Sequence, residues 1–170
     1  MIREKGHEFL SARNLAAFLG CSTQPVMYLF PTMNDLKRAV YSQADLFHTG
    51  YLMHSSGKID PLLEIGLNYI RFAIEEPHLF RFLFQSGYAK ENNLPEMIDS
   101  EELVPVLSAM QEGIGLDMEK TREVFLTVAL FAHGYASIIA NNALEFDEHL
   151  VAVHLTRAFK GAMLAVSQED

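Results

Sequence analysis

The sequence predicts an all-α protein with a small N-terminal helical head, residues 1–48, and a larger helical body, residues 49–170. Apolar residues recur at helical spacing along the chain, and the period-two alternation typical of strands is absent. Residues 1–41 carry five Lys or Arg and three Asp or Glu, whereas the remainder carries 8 and 19. Residues 1–41 therefore have a net charge of +2 and the remainder has −11, which sum to the total of −9, and only the head is expected to contact nucleic acid.

The head contains two short helical segments joined by a tight turn. Ser11 is placed to cap a helix over residues 12–19, which Gly20 ends. Ser22 is placed to cap a second helix over residues 23–30. This order of helix, glycine turn and short helix has the spacing of a helix-turn-helix motif. It also occurs as plain helix packing in all-α proteins, so both interpretations remain open on spacing alone.

Pro25 fits the second helix because it falls in the first turn. Backbone N–H groups there have no intrahelical partner, so a proline loses no hydrogen bond. The Ser22 hydroxyl is expected to accept from the N–H of Gln24. The small core that sets the helix angle is expected to contain Leu15, Ala16, Leu19, Val26 and Phe30. The outward face is expected to present Thr23, Gln24, Met27 and Tyr28, and a glutamine there can bond an adenine edge in two places.

The rest of the chain divides into helices at proline, glycine and capping residues. Thr32 is predicted to cap a long helix from Met33 to about Leu52, with Asp35 completing a capping box. Pro61 opens the next helix, and Pro77 breaks it. The further predicted segments are a helix over 61–76, an apolar segment over 78–87, a polar loop over 88–102, and helices over Leu103–Gly113, Glu119–Asn142 and Asp147–Val166.

Several function classes lack a sequence signal. Cys21 is the single cysteine, which excludes an intrachain disulfide framework and fits a reducing, cytoplasmic location. No HExxH motif occurs, and His149 and His154 are five residues apart, which does not suit a zinc site. No nucleophile motif or phosphate-cradling glycine loop is present. We therefore expect no enzyme activity, no metal and no cofactor.

A membrane location is also not expected. The N-terminus lacks the long apolar stretch of a signal peptide. Polar residues interrupt each apolar run, so that none is expected to reach membrane-spanning length. These interrupting residues are Arg71, Glu75, Arg81, His133 and Asn141.

Three stretches together resemble the TetR family of transcriptional regulators. The stretch "LSARNLAAFLGCSTQPVMYLFPTMNDLKRAVY", from Leu10 to Tyr41, resembles the DNA-binding head of that family. In the body, "NYIRFAIEEPHLFRFLF" and "LFAHGYASIIANNA" resemble the ligand-domain helices of one TetR group, which has an aromatic-x-x-His-Gly pattern. The resemblance implies an N-terminal helix-turn-helix head and a C-terminal helical ligand-binding and dimerisation domain.

The resemblance also implies roles for head residues. Thr23 and Gln24 would face bases, Tyr28 would touch a phosphate, and the helix that starts at Thr32 would offer backbone N–H groups to another phosphate. The DNA-binding set is Arg13, Ser22, Thr23, Gln24, Tyr28, Thr32 and Lys37. Met33 stands where the family has a lysine, and Met27 stands where it has an aromatic residue, so each position lacks a phosphate contact.

The first helix of the head is largely missing relative to the family. Only "MIREK" precedes Gly6, which corresponds to little more than the last turn of that helix. A start assigned late, a shortened chain and a true loss of the helix remain open. A head without this helix is expected to expose apolar surface of the helix-turn-helix.

In the body, the resemblance implies a small-molecule pocket and a dimer face. The effector would be apolar or amphipathic, in a pocket lined by Tyr69, Phe72, Phe84, Met110, Phe131 and His133. The last two helices would pair with those of a second subunit through Ala132, Ala136, Ala140, Ala158, Gly161, Ala162 and Ala165. A two-fold dimer would bind a palindromic double-stranded DNA operator. By composition alone, the same residues also fit an ordinary helical core.

Three functions follow for comparison. The first is a ligand-responsive transcriptional regulator, most often a repressor in this family, that an effector releases from its operator. The second is a ligand-binding protein of the same descent with impaired or lost DNA binding. The third, a small helical enzyme, lacks any acid–base or metal constellation.

Overall fold

The computed structural model describes residues 1–88, 93–142 and 144–168, and these residues form helices and turns without a strand. The prediction of an all-α protein is confirmed. The helices are α1 Ile2–Lys5, α2 Ala12–Leu19, α3 Thr23–Leu29, α4 Met33–Leu52, α5 Pro61–Glu75, α6 Pro77–Phe84, α7 Leu94–Ile98, α8 Val104–Ile114, α9 Met118–Asn142 and α10 Glu148–Val166. Short 3₁₀ turns occur at His7–Phe9 and Glu101–Leu103.

Capping residues begin and end the helices close to the predicted positions. The hydroxyl of Ser11 accepts from the backbone N–H of Asn14 at the start of α2, and the carboxylate of Asp147 accepts from that of Leu150 at the start of α10. Gly20 ends α2 in the left-handed region, at φ 68°. These local signals are strong because each satisfies backbone groups that the helix leaves without partners.

The polar loop predicted over 88–102 is wrong in part, since it contains α7 and a 3₁₀ turn; residues 89–92 lie outside the described residues. The Asn93 side chain accepts from the backbone N–H of Glu96 and donates to its carboxylate. Pro95 lies in the first turn, where a proline is tolerated. The sequence signal was a capping residue followed three positions later by a glutamate, within a segment too short and polar to show helical periodicity.

The chain divides into two compact units, each taken over its described residues. One comprises Met1–Phe47 with Glu76–Lys90, and the other comprises His48–Glu75 with Glu91–Asp170. The predicted domains, 1–48 and 49–170, remain a prediction about function. The compact unit that holds the predicted head also includes α6, which that prediction assigned to the body.

The first unit is built on α6 as well as on the helices of the predicted head. Phe80 and Phe82 are fully buried in α6, and Leu36 is buried in α4. The short helix α1 packs against α6. Its Arg3 guanidinium forms a two-pronged ion pair with Glu76 and lies 5.3 Å from the centroid of the Phe47 ring.

The second unit is a helical bundle around α5, which packs against α8, α9 and α10. Ile70 and Phe72 are fully buried on α5. A Cβ placed on Gly66 would lie 3.2 Å from Leu155 Cδ1, so this glycine lets α10 approach α5 closely. A second apolar cluster joins α8, α9 and α10 through Met110, Val124, Ala162 and Val166.

A polar network holds the turn between α4 and α5. The buried carboxylate of Glu64 accepts from the Ser55 hydroxyl and from the backbone N–H of Ser56, both at 3.0 Å. The hydrogen bond from Ser56 is the largest cause that lowers the pKa of Glu64. Together with the other hydrogen bonds, it keeps the carboxylate charged. The Asn68 amide donates to the carbonyl oxygens of Leu52 and His54. Carbonyl groups at the end of α4 thus obtain partners that the helix cannot supply.

We expect Phe72→Ala to destabilise the protein by about 3–5 kcal/mol, because it removes a fully buried ring and leaves a cavity between helices. Ile74→Ala, on the more exposed side of the same helix, is the control and should cost less than about 1 kcal/mol. Urea unfolding followed by circular dichroism at one protein concentration measures both changes. Equal losses in the two variants would contradict the assignment of Phe72 to the core.

Candidate nucleic-acid interface and ligand site

The turn between α2 and α3 is tight and internally satisfied. The backbone N–H groups of Gly20 and Cys21 donate to the carbonyl oxygens of Ala17 and Ala16. Gly20 adopts φ 68°, which side chains other than glycine rarely adopt. The Ser22 side chain makes no cap hydrogen bond, so the predicted bond to the Gln24 N–H is wrong. The glycine and the helix packing, rather than a serine cap, determine where α3 begins.

The core between α2 and α3 is smaller than predicted. Ala16 and Val26 are buried at the crossing of the two helices, whereas Leu15 and Phe30 are only half-buried. Leu19 is 60% exposed, so its placement in the core is wrong. The short helix α1 packs against α6, and the main helix contact of α2 is with α3.

The side chains that α3 exposes include those predicted for its outward face. Thr23 and Gln24 are exposed at its first turn, and Tyr28 is 86% exposed one turn later. Arg13 and Ser22 are exposed nearby in the sequence. A short helix that presents polar side chains from its N-terminal end can enter the major groove of DNA. The roles of these residues in DNA binding remain predictions.

The start of α4 forms the predicted capping box. The Asp35 carboxylate accepts from the backbone N–H and the hydroxyl of Thr32, at 2.9 and 2.7 Å. The backbone N–H of Asp35 donates to the Thr32 hydroxyl oxygen in return. The hydrogen bond from the Thr32 hydroxyl is the main cause that lowers the pKa of Asp35. A phosphate approaching the Thr32 N–H would therefore have to displace a carboxylate.

Lys37 is engaged within the first unit. Its ammonium donates to the hydroxyl of Tyr88 and lies 4.6 Å from the centroid of that ring. The side chain is half-buried rather than extended into solvent. The predicted phosphate contact at Lys37 thus has an intrachain competitor, which no sequence pattern reveals because 51 positions separate the two residues.

A polar chain crosses the second unit between α5 and α9. The Tyr69 hydroxyl and His133 Nδ1 share a hydrogen bond of 2.8 Å, and the other ring nitrogen of His133 lies 3.3 Å from the Ser137 hydroxyl. Burial lowers the pKa of His133, so its ring is neutral at pH 7. A neutral imidazole between two hydroxyl groups donates a hydrogen bond from one ring nitrogen and accepts one at the other.

An aromatic group lies beside this polar chain. The His48 ring packs edge-on against Tyr69 and Phe72, with centroids 5.5 and 4.8 Å away. Burial lowers the pKa of His48 to about 4. The sequence analysis did not include His48, since a histidine near the end of an amphipathic helix carries no signal of its own.

The six predicted pocket residues are divided between the two units. Tyr69, Phe72 and His133 lie together, but Phe72 is fully buried and lines no free space. Met110 belongs to the α8–α9–α10 cluster, and Phe84 packs on Phe80 in the first unit. Apolar composition selected core residues of several helices because a core and a pocket have the same residue types.

Phe131, the sixth predicted pocket residue, lines an open cleft on α9 and α10 with a volume of about 520 Å³. The other lining residues are Tyr135, His154, Arg157 and Ala158. The Tyr135 hydroxyl lies 3.5 Å from His154 Nδ1. The cleft thus combines two aromatic rings with an imidazole and one guanidinium.

The seven predicted dimer residues divide into two groups. Ala132, Ala136 and Ala162 are buried inside the chain, and their role at a dimer face stays a prediction. Gly161 and Ala165 are exposed, and Ala140 and Ala158 are half-buried. Small residues at helical spacing let helices approach closely, both within one chain and between two subunits. The stripe by itself does not show which side of the helix faces inward. The exposed apolar side chains nearby are Leu130, Phe131, Ile138, Leu150 and Leu164.

The helix α9 corrects the expectation about membrane-spanning length. Its 25 residues and mean hydropathy of 1.5 are sufficient to cross a membrane by length and composition. These two properties are weak evidence, because core helices of soluble proteins share them. Only 22% of the apolar window is buried inside the chain, which leaves much apolar surface to be covered.

Among the described residues, no cluster of three or more His, Cys, Asp or Glu could hold a metal ion.

A family model for the tetracyclin repressor-like C-terminal domain matches residues 62–159, more than half of the chain. The chain belongs to the TetR family. The matched region contains the described parts of α6 to α9 and most of α5 and α10. No curated protein and no solved structure matches the chain significantly. Membership points to a regulator rather than an enzyme, since TetR-family proteins generally bind DNA as dimers and respond to small molecules.

We expect the stability of this TetR-family protein to fall between pH 7 and pH 5 partly because of His48. Its folded pKa of about 4 lies below its unfolded value, so the unfolded chain binds a proton first as the pH falls. The contribution over this interval is about 2 kcal/mol.

The variant His48→Phe tests this origin, because it keeps an aromatic ring but cannot titrate. Urea unfolding at pH 7 and pH 5 should show a smaller decrease in the variant than in the native protein. His149→Gln, at an exposed position on α10, is the control and should retain the native decrease. An undiminished decrease in His48→Phe would show that other groups cause it.

Proposed function

We propose that the chain is a cytoplasmic transcriptional regulator, acting as a repressor, that binds a palindromic operator as a homodimer and is released by an apolar or amphipathic effector. The observation that carries the proposal is α3, which presents Thr23, Gln24 and Tyr28 outward after a left-handed glycine turn. This helix precedes a TetR-like C-terminal domain in the same chain.

DNA recognition is assigned to the first turns of α3. Gln24 would bond an adenine edge, Thr23 a base or a phosphate, and Tyr28 a phosphate. Arg13 and Ser22 would add backbone contacts. The mild charge of the head predicts modest non-specific affinity, because sequence-independent binding depends on the number of phosphates neutralised.

The effector is assigned to the second unit, beside the Tyr69–His133–Ser137 chain. A half-buried neutral histidine favours a polar group that exchanges hydrogen bonds, and the surrounding rings favour an apolar remainder. The helix α4 continues without a break from the predicted head to His48, which packs on Tyr69. An effector that binds one arrangement of α4 more tightly than the other would shift the population and weaken operator binding.

The dimer is assigned to the exposed apolar face of α9 and α10. A glycine inside a helix costs about 1 kcal/mol relative to alanine, so such a glycine needs a structural reason. Apart from the chain neighbours and the backbone of the same helix, a Cβ on Gly134 or Gly161 would meet no atom of the described residues within 4 Å. Close approach of a second subunit would supply that reason and would cover the nearby Leu130, Ile138 and Leu164.

A TetR-derived ligand-binding protein with impaired DNA binding is the second candidate. Two observations favour it: Leu19 is exposed, and the Thr32 N–H already has a carboxylate partner. Both candidates include the same body and differ only in whether the head binds DNA.

The variant Gln24→Ala should weaken binding to the operator by about 1–3 kcal/mol, because it removes a two-pronged base contact. Fluorescence anisotropy with DNA that flanks the protein's own gene measures the affinity across salt concentrations. Gln43→Ala, at an exposed position on α4, is the matched control and should bind as the native protein does. A folded dimer that binds no DNA at low salt would instead favour the second candidate.

The variant Ile138→Arg should convert the dimer to a monomer, because it places a charge in an apolar interface. Light scattering coupled to size-exclusion chromatography measures the mass, and operator affinity should fall with it. Val104→Arg changes a similarly exposed apolar residue on α8 and should leave the dimer intact. A dimeric Ile138→Arg protein would place the interface elsewhere.

A further inference from the structure

The segment between α5 and α7 packs with the first unit rather than with its sequence neighbours. Glu76–Lys90 belongs to the first unit, although α5 before it and α7 after it belong to the second. We name the described part of this segment, Glu76–Tyr88, the arm. Its first residue binds Arg3 and its last residue binds Lys37. The arm therefore engages two of the five basic residues in positions 1–41.

The ring of Tyr88 is held in place from several sides. Lys37 donates to its hydroxyl and lies over its face, with the nitrogen 4.6 Å from the ring centroid. The Phe82 ring lies 6.0 Å away, and the His7 ring meets Tyr88 edge-on at 6.2 Å. A hydrogen bond together with a cation–π contact makes this a specific arrangement rather than an incidental approach.

The end of α6 is shaped to direct Tyr88 toward Lys37. The Ser86 hydroxyl donates to the carbonyl oxygen of Phe82 and accepts from the backbone N–H of Tyr88. Gly87 adopts φ 70°, in the left-handed region that favours glycine. Among the described residues, and apart from its two chain neighbours, no atom lies within 4 Å of a Cβ placed on Gly87, so the backbone turn is the reason for glycine there.

The ammonium of Lys37, which Tyr88 engages, is also the group predicted to contact a DNA phosphate. Lys37 lies one turn after Thr32 at the start of α4, the end of the helix that is predicted to face the DNA backbone. Its ammonium is a point charge on a flexible stem, so it can exchange one partner for another without a change in the helix. A phosphate carries a full negative charge, whereas a phenol offers a hydroxyl and a ring face.

We propose that Tyr88 competes with the DNA backbone for Lys37, so that the arm lowers the affinity of the head for DNA. Release of Tyr88 frees one cation for a phosphate. The arm is joined by the chain to α5 on one side and leads toward α7 on the other, and both belong to the unit to which we assign the effector. The inference rests on the proposed function, because it requires that the head bind DNA.

The salt dependence of DNA binding tests the competition. Binding of a labelled mixed-sequence duplex of about 30 base pairs is measured between about 50 and 200 mM salt, since each phosphate contact changes the slope of log affinity against log salt by about 0.9. Tyr88→Phe removes the hydroxyl and keeps the ring, and Tyr88→Leu removes both contacts. We expect the slope to become steeper from the native protein to Tyr88→Phe and then to Tyr88→Leu, by up to about 0.9. For Tyr88→Leu, this change corresponds to about a 3.5-fold extra loss of affinity between the lowest and the highest salt concentration.

A double-mutant cycle shows whether Lys37 mediates the change. In a Lys37→Gln background, the Tyr88 substitutions should leave the slope unchanged, because no ammonium remains to be released. Tyr51→Phe removes a tyrosine hydroxyl that binds Glu75 in the second unit, and this control should keep the native slope. Circular dichroism confirms that each variant is folded.

The outcomes separate the two levels of the proposal. Native protein that binds DNA, with the same slope in both Tyr88 variants, would overturn the competition and leave the proposed function intact. A slope change that persists in the Lys37→Gln background would also overturn it, because the effect would not pass through Lys37. Absence of DNA binding in every variant would remove the proposed function and the inference with it.

Discussion

The burial of α5 is the constraint on which the second unit depends. Ile70, Phe72 and Ala73 are fully enclosed, and α8, α9 and α10 pack against this helix. Gly66 removes the side chain that would keep Leu155 of α10 at a distance. One side of α9 is committed to this contact, which buries Ala132 and Ala136, and Leu130 and Ile138 on the same helix remain exposed.

The buried titratable side chains are either neutral or have partners that stabilise their charge. His48 and His133 are neutral because burial lowers their pKa values, and Glu64 remains charged because the turn after α4 supplies hydrogen bonds to it. In the first unit, Glu76 pairs with Arg3 and Tyr88 covers Lys37. Two of the five basic side chains in residues 1–41 are therefore engaged within the first unit, Arg3 by a carboxylate and Lys37 by a tyrosine.

The candidate sites differ in how far sequence could predict them. Exposure of Thr23, Gln24 and Tyr28 was predictable, because a glycine turn and helical periodicity determine which side of a short helix faces outward. The pocket was not, because Phe72, Phe84 and Met110 are apolar residues at helical spacing, whether they line a cavity or fill a core. The partners of Lys37 and His133 lie 51 and 64 positions away, and no local rule relates such residues.

The sequence by itself determined the longer helices of this protein, because capping residues, prolines and glycines act on their nearest neighbours, whereas the short helix α7 was missed. It also indicated the TetR family, which the C-terminal domain match confirmed. Tertiary structure decided which face of each helix is buried, that α1 and α6 pack together, and which cations of the head already have partners. These features depend on contacts between distant residues, whose free energies arise only when the chain is folded.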